Sequence, residues 1–240
     1  MKNKILLTGG SGTLGKAIIN CGLFKNLYAP TSKQVNILHY KQLKKFILKN
    51  KINLIIHCAA LARMKECEKN ISKAIEVNVR GTLNIIKSIQ KKKIKLIYIS
   101  SDAVYPSLRG NYSETDSIEP YNTYGWTKVA AEFLVKTLDK FLIIRTRFFN
   151  KDKILFKYSA NNIYSSSIEV NKLVKIIYKL IKKNISGIIN VGQKKISDYD
   201  NYKQYNMKLK SCSKNKIFKG INFKIGTNSS LNLNKLKKTL

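Results

Sequence analysis

Three glycines spaced three apart near the start of the chain restrict what it can fold into more than any other feature. The run Thr8-Gly9-Gly10-Ser11-Gly12-Thr13-Leu14-Gly15 follows an apolar stretch at 4–8 (KILLT) and leads into a helical pattern over 13–25. A chain that leaves a buried strand there must double back at once and then pack a helix tightly onto the strand it has just left. A Cβ obstructs both moves, and it also keeps a bound pyrophosphate away from the backbone. The free N–H groups and the dipole at the start of the following helix supply an anion site. The alternative is a tight turn that binds nothing. The strand–turn–helix setting favours dinucleotide binding, with Gly9, Gly12, Thr13, Leu14 and Gly15 as cofactor contacts.

Beyond this turn the pattern repeats. Apolar runs at 27–29, 52–58, 94–100 and 141–146 read as strands, and amphipathic stretches at 40–49, 72–91 and 124–138 read as helices. Runs of five to seven apolar residues without polar alternation predict strands buried on both faces, and their alternation with helices predicts crossovers and a parallel sheet. The expected fold class is α/β, a doubly wound parallel sheet of the Rossmann type. A helix at 169–183 and a strand at 187–191 follow, and the polar stretch 192–226 reads as irregular structure. The expected division is a dinucleotide-binding domain over 1–150 and a small, shortened substrate lobe over 151–240, partly interleaved with the first. The long polar connection 105–122 is of the kind that carries function in α/β proteins.

Composition limits the class of partner. The 46 Lys and Arg against 13 Asp and Glu give a formal charge of +33 over 240 residues. Such an excess first suggests a polyanion. Only five of the cations are arginine, however, and the lysines are spread along the whole length. That favours a solvated, composition-driven surface, so no specific nucleic acid is expected. Cys21, Cys58, Cys67 and Cys212 show no paired spacing, and with only His39 and His57 no metal-ligand cluster can be drawn. No window approaches the roughly 18 apolar residues of a membrane span. A cytoplasmic protein without a membrane or metal partner is expected.

Two further features bear on chemistry. The second strand should end at the adenosine ribose, where a carboxylate would accept the 2′-hydroxyl of NAD and repel a 2′-phosphate. The residues there, Thr31, Ser32 and Lys33, include no acid. NADPH is therefore favoured, with NADH as the alternative. Tyr124 and Lys128 form a Tyr-x-x-x-Lys pair at the start of a predicted helix, on one face. An ammonium near the phenol would lower its pKa, and the phenol could then donate a proton to a carbonyl oxygen as hydride reaches the carbon. The same spacing occurs at Tyr40/Lys44, Tyr178/Lys182 and Tyr199/Lys203, which read as surface helix pairs. Tyr124 is singled out because it follows the strand that ends in Ser100-Ser101-Asp102, at the sheet edge where ligands bind. A hydroxyl on Ser101 could hold the substrate oxygen beside it.

Taken together these residues resemble the extended short-chain dehydrogenase/reductase family, and within it the dTDP-4-dehydrorhamnose reductases and related nucleotide-sugar reductases. The run Tyr112-x-Glu114-x-Asp116-x-x-x-Pro120-x-Asn122-x-Tyr124-Gly125-x-x-Lys128 follows that group's spacing at every named position. Ser101-Asp102-Ala103-Val104-Tyr105, His57-Cys58-Ala59-Ala60, Glu76-Val77-Asn78-Val79-Arg80-Gly81-Thr82 and Ser230-Leu231-Asn232 match further stretches. The resemblance implies Ser101, Tyr124 and Lys128 as catalytic residues, and Ala59, Ala60 and Leu61 beneath the nicotinamide side of the cofactor. It also implies Asn36 and Ile37 at the adenine, and Asp102, Ala103 and Phe148 on the substrate. The chain departs from the group at Arg145-Thr146-Arg147-Phe148, where the family has Arg-Thr-Ser-Trp, and Asn stands for Asp at 36 and 232. The implied activity is NADPH-dependent reduction of the 4-keto group of a nucleotide-linked 6-deoxy sugar, with a homodimer compatible with it. The competing readings are a nucleotide-sugar epimerase or dehydratase that keeps NAD bound, and a non-catalytic NADP-binding regulatory subunit.

Overall fold

A computed structural model describes residues 3–240. Six parallel strands make one sheet. In chain order they are β1 (Ile5–Thr8), β2 (Leu27–Tyr28), β3 (Leu54–His57), β4 (Lys95–Ile99), β5 (Phe141–Thr146) and the strand Gly187–Val191. In space the order from one edge is Gly187–Val191, β5, β4, β3, β1, β2. The chain thus starts in the interior, runs to one edge, and crosses back over β1 to build the other half. The crevice beyond the carboxyl ends of β1 and β3, where the direction reverses, is the place where such sheets bind ligands.

The uninterrupted apolar runs are explained by burial on both faces. Along β1, Ile5 and Leu7 enter one core with Leu54, Ile56, Ile97, Leu142 and Ile144. Leu6 enters the opposite core with Ile55, Leu96, Tyr98 and Ile143. The first core is covered by α1 (Thr13–Asn20) and α7 (Val170–Lys182). The second is covered by α2 (Tyr40–Lys49), α5 (Gly81–Ile89) and α6 (Thr123–Val135).

Three segments differ from the sequence reading. The first helix stops at Asn20, because Cys21 ends it and Gly22 follows with φ +67°. The long helix over 72–91 is interrupted: α4 (Ile71–Ile75) passes into a π-helical turn at Glu76–Arg80 before α5 begins. A hydrophobic stripe cannot report such a turn, since it shifts the register by only one residue. The polar stretch 192–226 is also not wholly irregular, for it contains short elements at Ile196–Ser197, Asp198–Lys203, Lys210–Cys212 and Lys214–Ile217. Ser197 starts the first of these helices, its Oγ accepting from Asp200 N (3.0 Å) and donating to Asp200 Oδ2 (2.6 Å). Elements this short show no periodicity.

Near its end the chain returns to the 105–122 connection. Ser107 O accepts from Thr227 N (2.9 Å) and Asn228 N (3.0 Å), Tyr112 N donates to Ser230 O (3.0 Å), and Asn232 N donates to Tyr112 O (2.7 Å). Tyr105 and Tyr112, both buried, stack at 4.8 Å beneath this contact.

The glycine turn tolerates little change. A Cβ on Gly15 would lie 2.2 Å from Gly9 O and 2.7 Å from Gly10 Cα, both backbone. Gly15→Ala should therefore force the helix off the turn and cost about 1–3 kcal/mol of stability. The check is a fall in the urea midpoint at unchanged m-value.

Candidate active site

The carboxyl ends of β1, β3 and β4 open into two adjoining clefts of about 380 Å³ each. Gly9, Gly12, Cys58 and Ala60 line both, so the two form one groove across the sheet edge. Gly9 sits at φ +75°, and a Cβ on it would come within 2.5 Å of Ala59 N, so the floor can be this narrow only with glycine there. At Gly12 the sole neighbour of such a Cβ is Gly9 O at 3.3 Å, and the open side faces the groove. This is a cradle that a side chain would fill.

One end of the groove is bounded by Thr31, Ser32, Asn36 and Ile37. The other is bounded by Thr13, Leu14, Gly15, Ser101, Asp102, Tyr121, Tyr124, Lys128, Arg147 and Phe148. Of the residues expected from sequence, Lys33 is exposed and outside the groove lining. Ala103 is buried, 1% exposed, behind the wall. Leu61 stands beside the floor with both its backbone groups held by the Asn78 amide, N to Oδ1 at 2.7 Å and O from Nδ2 at 3.0 Å.

Local packing brings the reaction end together. Asn122 caps α6, its Oδ1 accepting from Gly125 N at 2.8 Å. Glu68, from the helix Met64–Lys69, takes both Thr123 N (2.7 Å) and Thr123 Oγ1 (2.8 Å). A Cβ on Gly125 would lie 2.3 Å from Ala103 O, so glycine in the middle of Tyr-Gly-x-x-Lys lets the helix start close against the Ser101–Val104 turn. That approach brings Tyr124 to the same cleft wall as Ser101. Asn78, in the π-helical turn, also donates from Nδ2 to Thr127 Oγ1 (2.9 Å), which ties the floor to α6. Neither Glu68 nor Asn78 was marked as functional in the sequence. Asn78 could have been found from the Glu76–Thr82 match, whereas Glu68 left no signal.

The electrostatics depart from one expectation. Lys128 Nζ donates to Ile99 O at 2.7 Å and sits 4.1 Å from the Tyr98 ring centroid. Burial lowers its pKa to about 7, against the pull of Glu132 one turn further on. The Tyr124 phenol is not brought down by a neighbouring ammonium. Burial raises its pKa, and the group that pulls it back is the Ser101 hydroxyl. The i, i+4 spacing puts both side chains on one face, but a backbone carbonyl takes the ammonium.

His57 is neutral, its pKa lowered to about 3 by burial and then by Lys128. Thr82 Oγ1 spends its proton on Asn78 O (2.6 Å), so His57 Nε2 must donate to Thr82 Oγ1 (3.0 Å). His57 Nδ1 then accepts from Thr8 Oγ1 (2.7 Å), which pins β1 to β3 beneath the groove. Behind the reaction end Arg145 and Glu132 form a fully buried pair at 2.7 Å, and Ser100 Oγ donates to Glu132 Oε1 at 2.6 Å. Arg147, beside Asp102, pairs with Asp198 at 3.0 Å. Among the described residues there is no cluster of side chains able to hold a metal, and no helix is long and apolar enough to cross a membrane.

A glycine-turn groove ending in Ser101, Tyr124 and Lys128 defines an extended short-chain dehydrogenase/reductase. Comparison of sequences narrows the class: the chain belongs to the RmlD substrate binding domain family, whose pattern matches residues 2–164. It is 32% identical over 149 residues to a dTDP-4-dehydrorhamnose reductase of Aggregatibacter actinomycetemcomitans, covering 60% of this chain and 50% of that one. It is also 32% identical over 140 residues to methionine adenosyltransferase 2 subunit beta of Bos taurus, covering 54% of this chain and 41% of that one. The chain thus spans about half the length of the curated relatives it matches. Among solved structures it is similar to dTDP-4-dehydrorhamnose reductase from Bacillus anthracis in complex with NADP. There the TM-score is 0.88 at 26% identity, covering 99% of this chain and 93% of that one.

Proposed function

We propose that this protein is an NADPH-dependent reductase of the 4-keto group of a nucleotide-diphosphate 6-deoxy sugar, with Tyr124 as proton donor. The observation that carries the reading is the meeting of Ser101, Tyr124 and Lys128 at one end of a groove whose other end is a glycine cradle. The NADP-complexed Bacillus anthracis neighbour and the reductase relative support it. NADPH would be held by Gly9–Gly15 at its diphosphate, by Asn36 and Ile37 at adenine, and by Ala59 and Ala60 along the floor. When bound, it supplies the hydride. Ser101 would hold the keto oxygen, Tyr124 Oη would give it a proton, and Lys128 would fix the far side of the pocket. Phe148 would cover the sugar face. The test is a set of nucleotide sugars, dTDP-4-dehydrorhamnose first, incubated with NADPH and followed by loss of its absorbance. Consumption with a 4-keto nucleotide sugar is expected, and none with any of the set would refute the reading.

Cofactor choice has its own test. Thr31 and Ser32 line the adenosine end with no acid between them, and Lys33 is exposed nearby. A 2′-phosphate there would gain a charge-assisted contact of about 1.5–3 kcal/mol. Lys33→Ala should weaken NADPH far more than NADH, and Ser32→Asp should invert the preference. Titration of both cofactors by fluorescence decides it, and a wild type that prefers NADH would overturn the assignment.

A second reading is favoured by the likeness to methionine adenosyltransferase 2 subunit beta. On that reading the chain binds NADP as a regulatory subunit. Cofactor binding with no consumption under the same screen would be its signature.

A further inference from the structure

Each of the five arginines has a carboxylate partner, but they differ in what is left over. Arg63, Arg80 and Arg109 form exposed pairs with Glu66, Glu76 and Asp116. Arg145 is buried and saturated, its Nε and Nη2 donating to Glu132 and its Nη1 to Tyr105 Oη. Arg147 is neither. Among the described residues it is the one arginine that lines the groove, and its side chain is 33% exposed. Its Nη2 donates to Asp198 Oδ2 at 3.0 Å, while Nε and Nη1 have no partner among the described residues.

Asp198 holds the guanidinium without taking its place in the cleft. The acid is buried, lies outside the cleft lining and opens the helix Asp198–Lys203, with its N donating to Ile163 O at 2.9 Å. An arginine held at one nitrogen by a buried acid, and itself part of the cleft wall, keeps donors for a ligand. The other charges of the reaction end are engaged. Lys128 Nζ donates to Ile99 O at 2.7 Å, and Asp102 accepts from Ser101 Oγ (3.1 Å) and Ser229 Oγ (2.6 Å). An anion entering this end therefore finds its free charged donors on Arg147. The reductase group that the chain resembles has Ser at this position, so the resemblance gives Arg147 no role.

We propose that Arg147 binds the diphosphate of the nucleotide sugar, with Asp198 as the residue that positions it. The inference rests on the reductase reading above. On that reading the 4-keto carbon sits at Ser101 and Tyr124, and the anomeric oxygen that carries the diphosphate lies across one pyranose ring from it. Phe148, next to Arg147 in the chain and in the same cleft wall, covers that ring. The cofactor's own diphosphate is met elsewhere, by the glycine cradle. A guanidinium suits the task, because its planar donors match phosphate oxygens and a charge-assisted contact is stronger than a neutral one. Arg147 acts on binding alone, and no bond forms or breaks at it.

The test is calorimetric titration of the NADP-loaded protein with dTDP, UDP and GDP and with the matching nucleosides. Arg147→Ser should weaken the tightest of the diphosphates at least ~10-fold. It should leave the parent nucleoside and NADP within a few-fold of wild type. Arg147→Lys, which keeps the charge and loses the planar fork, should fall between the two. Arg147→Ser strands the Asp198 carboxylate, so Arg147→Ser/Asp198→Asn is measured beside it and should show the same loss. With a 4-keto nucleotide sugar, Arg147→Ser should raise KM far more than it lowers kcat. Wild type that binds none of the diphosphates would overturn the proposal, as would unchanged diphosphate affinity in both variants. Equal weakening of diphosphate and nucleoside marks a structural role, and weakening of NADP instead marks a cofactor contact; either overturns it. Arg147-dependent diphosphate binding by a wild type that reduces no nucleotide sugar would refute the reductase reading and leave this assignment standing.

Discussion

Tyr124→Phe should lower turnover by at least ~10² while leaving NADPH affinity within a few-fold. The substitution removes one oxygen and keeps the ring that forms part of the cleft wall. The cleft that holds the Asn36–Ile37 end of the groove does not include it. The comparison that gives the result meaning is with two other tyrosines of the same spacing. Tyr178 lies on α7 with its ring edge-on to Phe24 at 5.5 Å, packed on the core away from the groove, and Tyr199 lies in the helix Asp198–Lys203. Neither lines either cleft. Tyr178→Phe and Tyr199→Phe should leave turnover intact, and an equal loss from either would undo the assignment. Steady-state kinetics and cofactor titration on the same preparations give both quantities.

The largest expected effect on stability comes from the Arg145–Glu132 pair. Each side chain is 1% exposed, and the guanidinium also donates to Tyr105 Oη at 2.8 Å. Removing one partner strands an unpaired charge beneath the sheet edge, so Arg145→Met or Glu132→Leu alone should each cost about 3–5 kcal/mol. Changing both together should recover most of that loss, because packed apolar groups replace a buried ion pair at little net cost. Urea unfolding of the two single variants and the double variant reads the coupling directly. Additive losses would show that the pair is not energetically linked.

The strands and the glycine turn were legible because burial on both faces writes itself into composition. Ile5-Leu6-Leu7 must satisfy two cores at once, and only an unbroken apolar run does so. The Ser101, Tyr124 and Lys128 set was legible because helix spacing and sheet-edge position follow from local rules. The direction of the Lys128 ammonium was not, since Ile99 O competes for it and a backbone carbonyl carries no sequence signature. Glu68, Glu132 and Ser229 were missed for a related reason. Each acts on a partner brought near by tertiary folding, with Ser229 and Asp102 separated by 127 positions. The π-helical turn that presents Asn78 escaped because the apolar stripe on either side of it remains continuous.

The return of 227–232 to the 105–122 connection bears on how the molecule is made. Chains fold from the N-terminus as they leave the ribosome, and contacts of long sequence separation are the slow ones to close. The cradle at Gly9–Gly15 is built from β1, α1 and β3, which lie within residues 5–57. Asp102 receives its Ser229 contact only after a further 127 residues have been added. The glycine turn is thus made of residues close in sequence, while the Asp102–Ser229 contact must wait for a distant part of the chain.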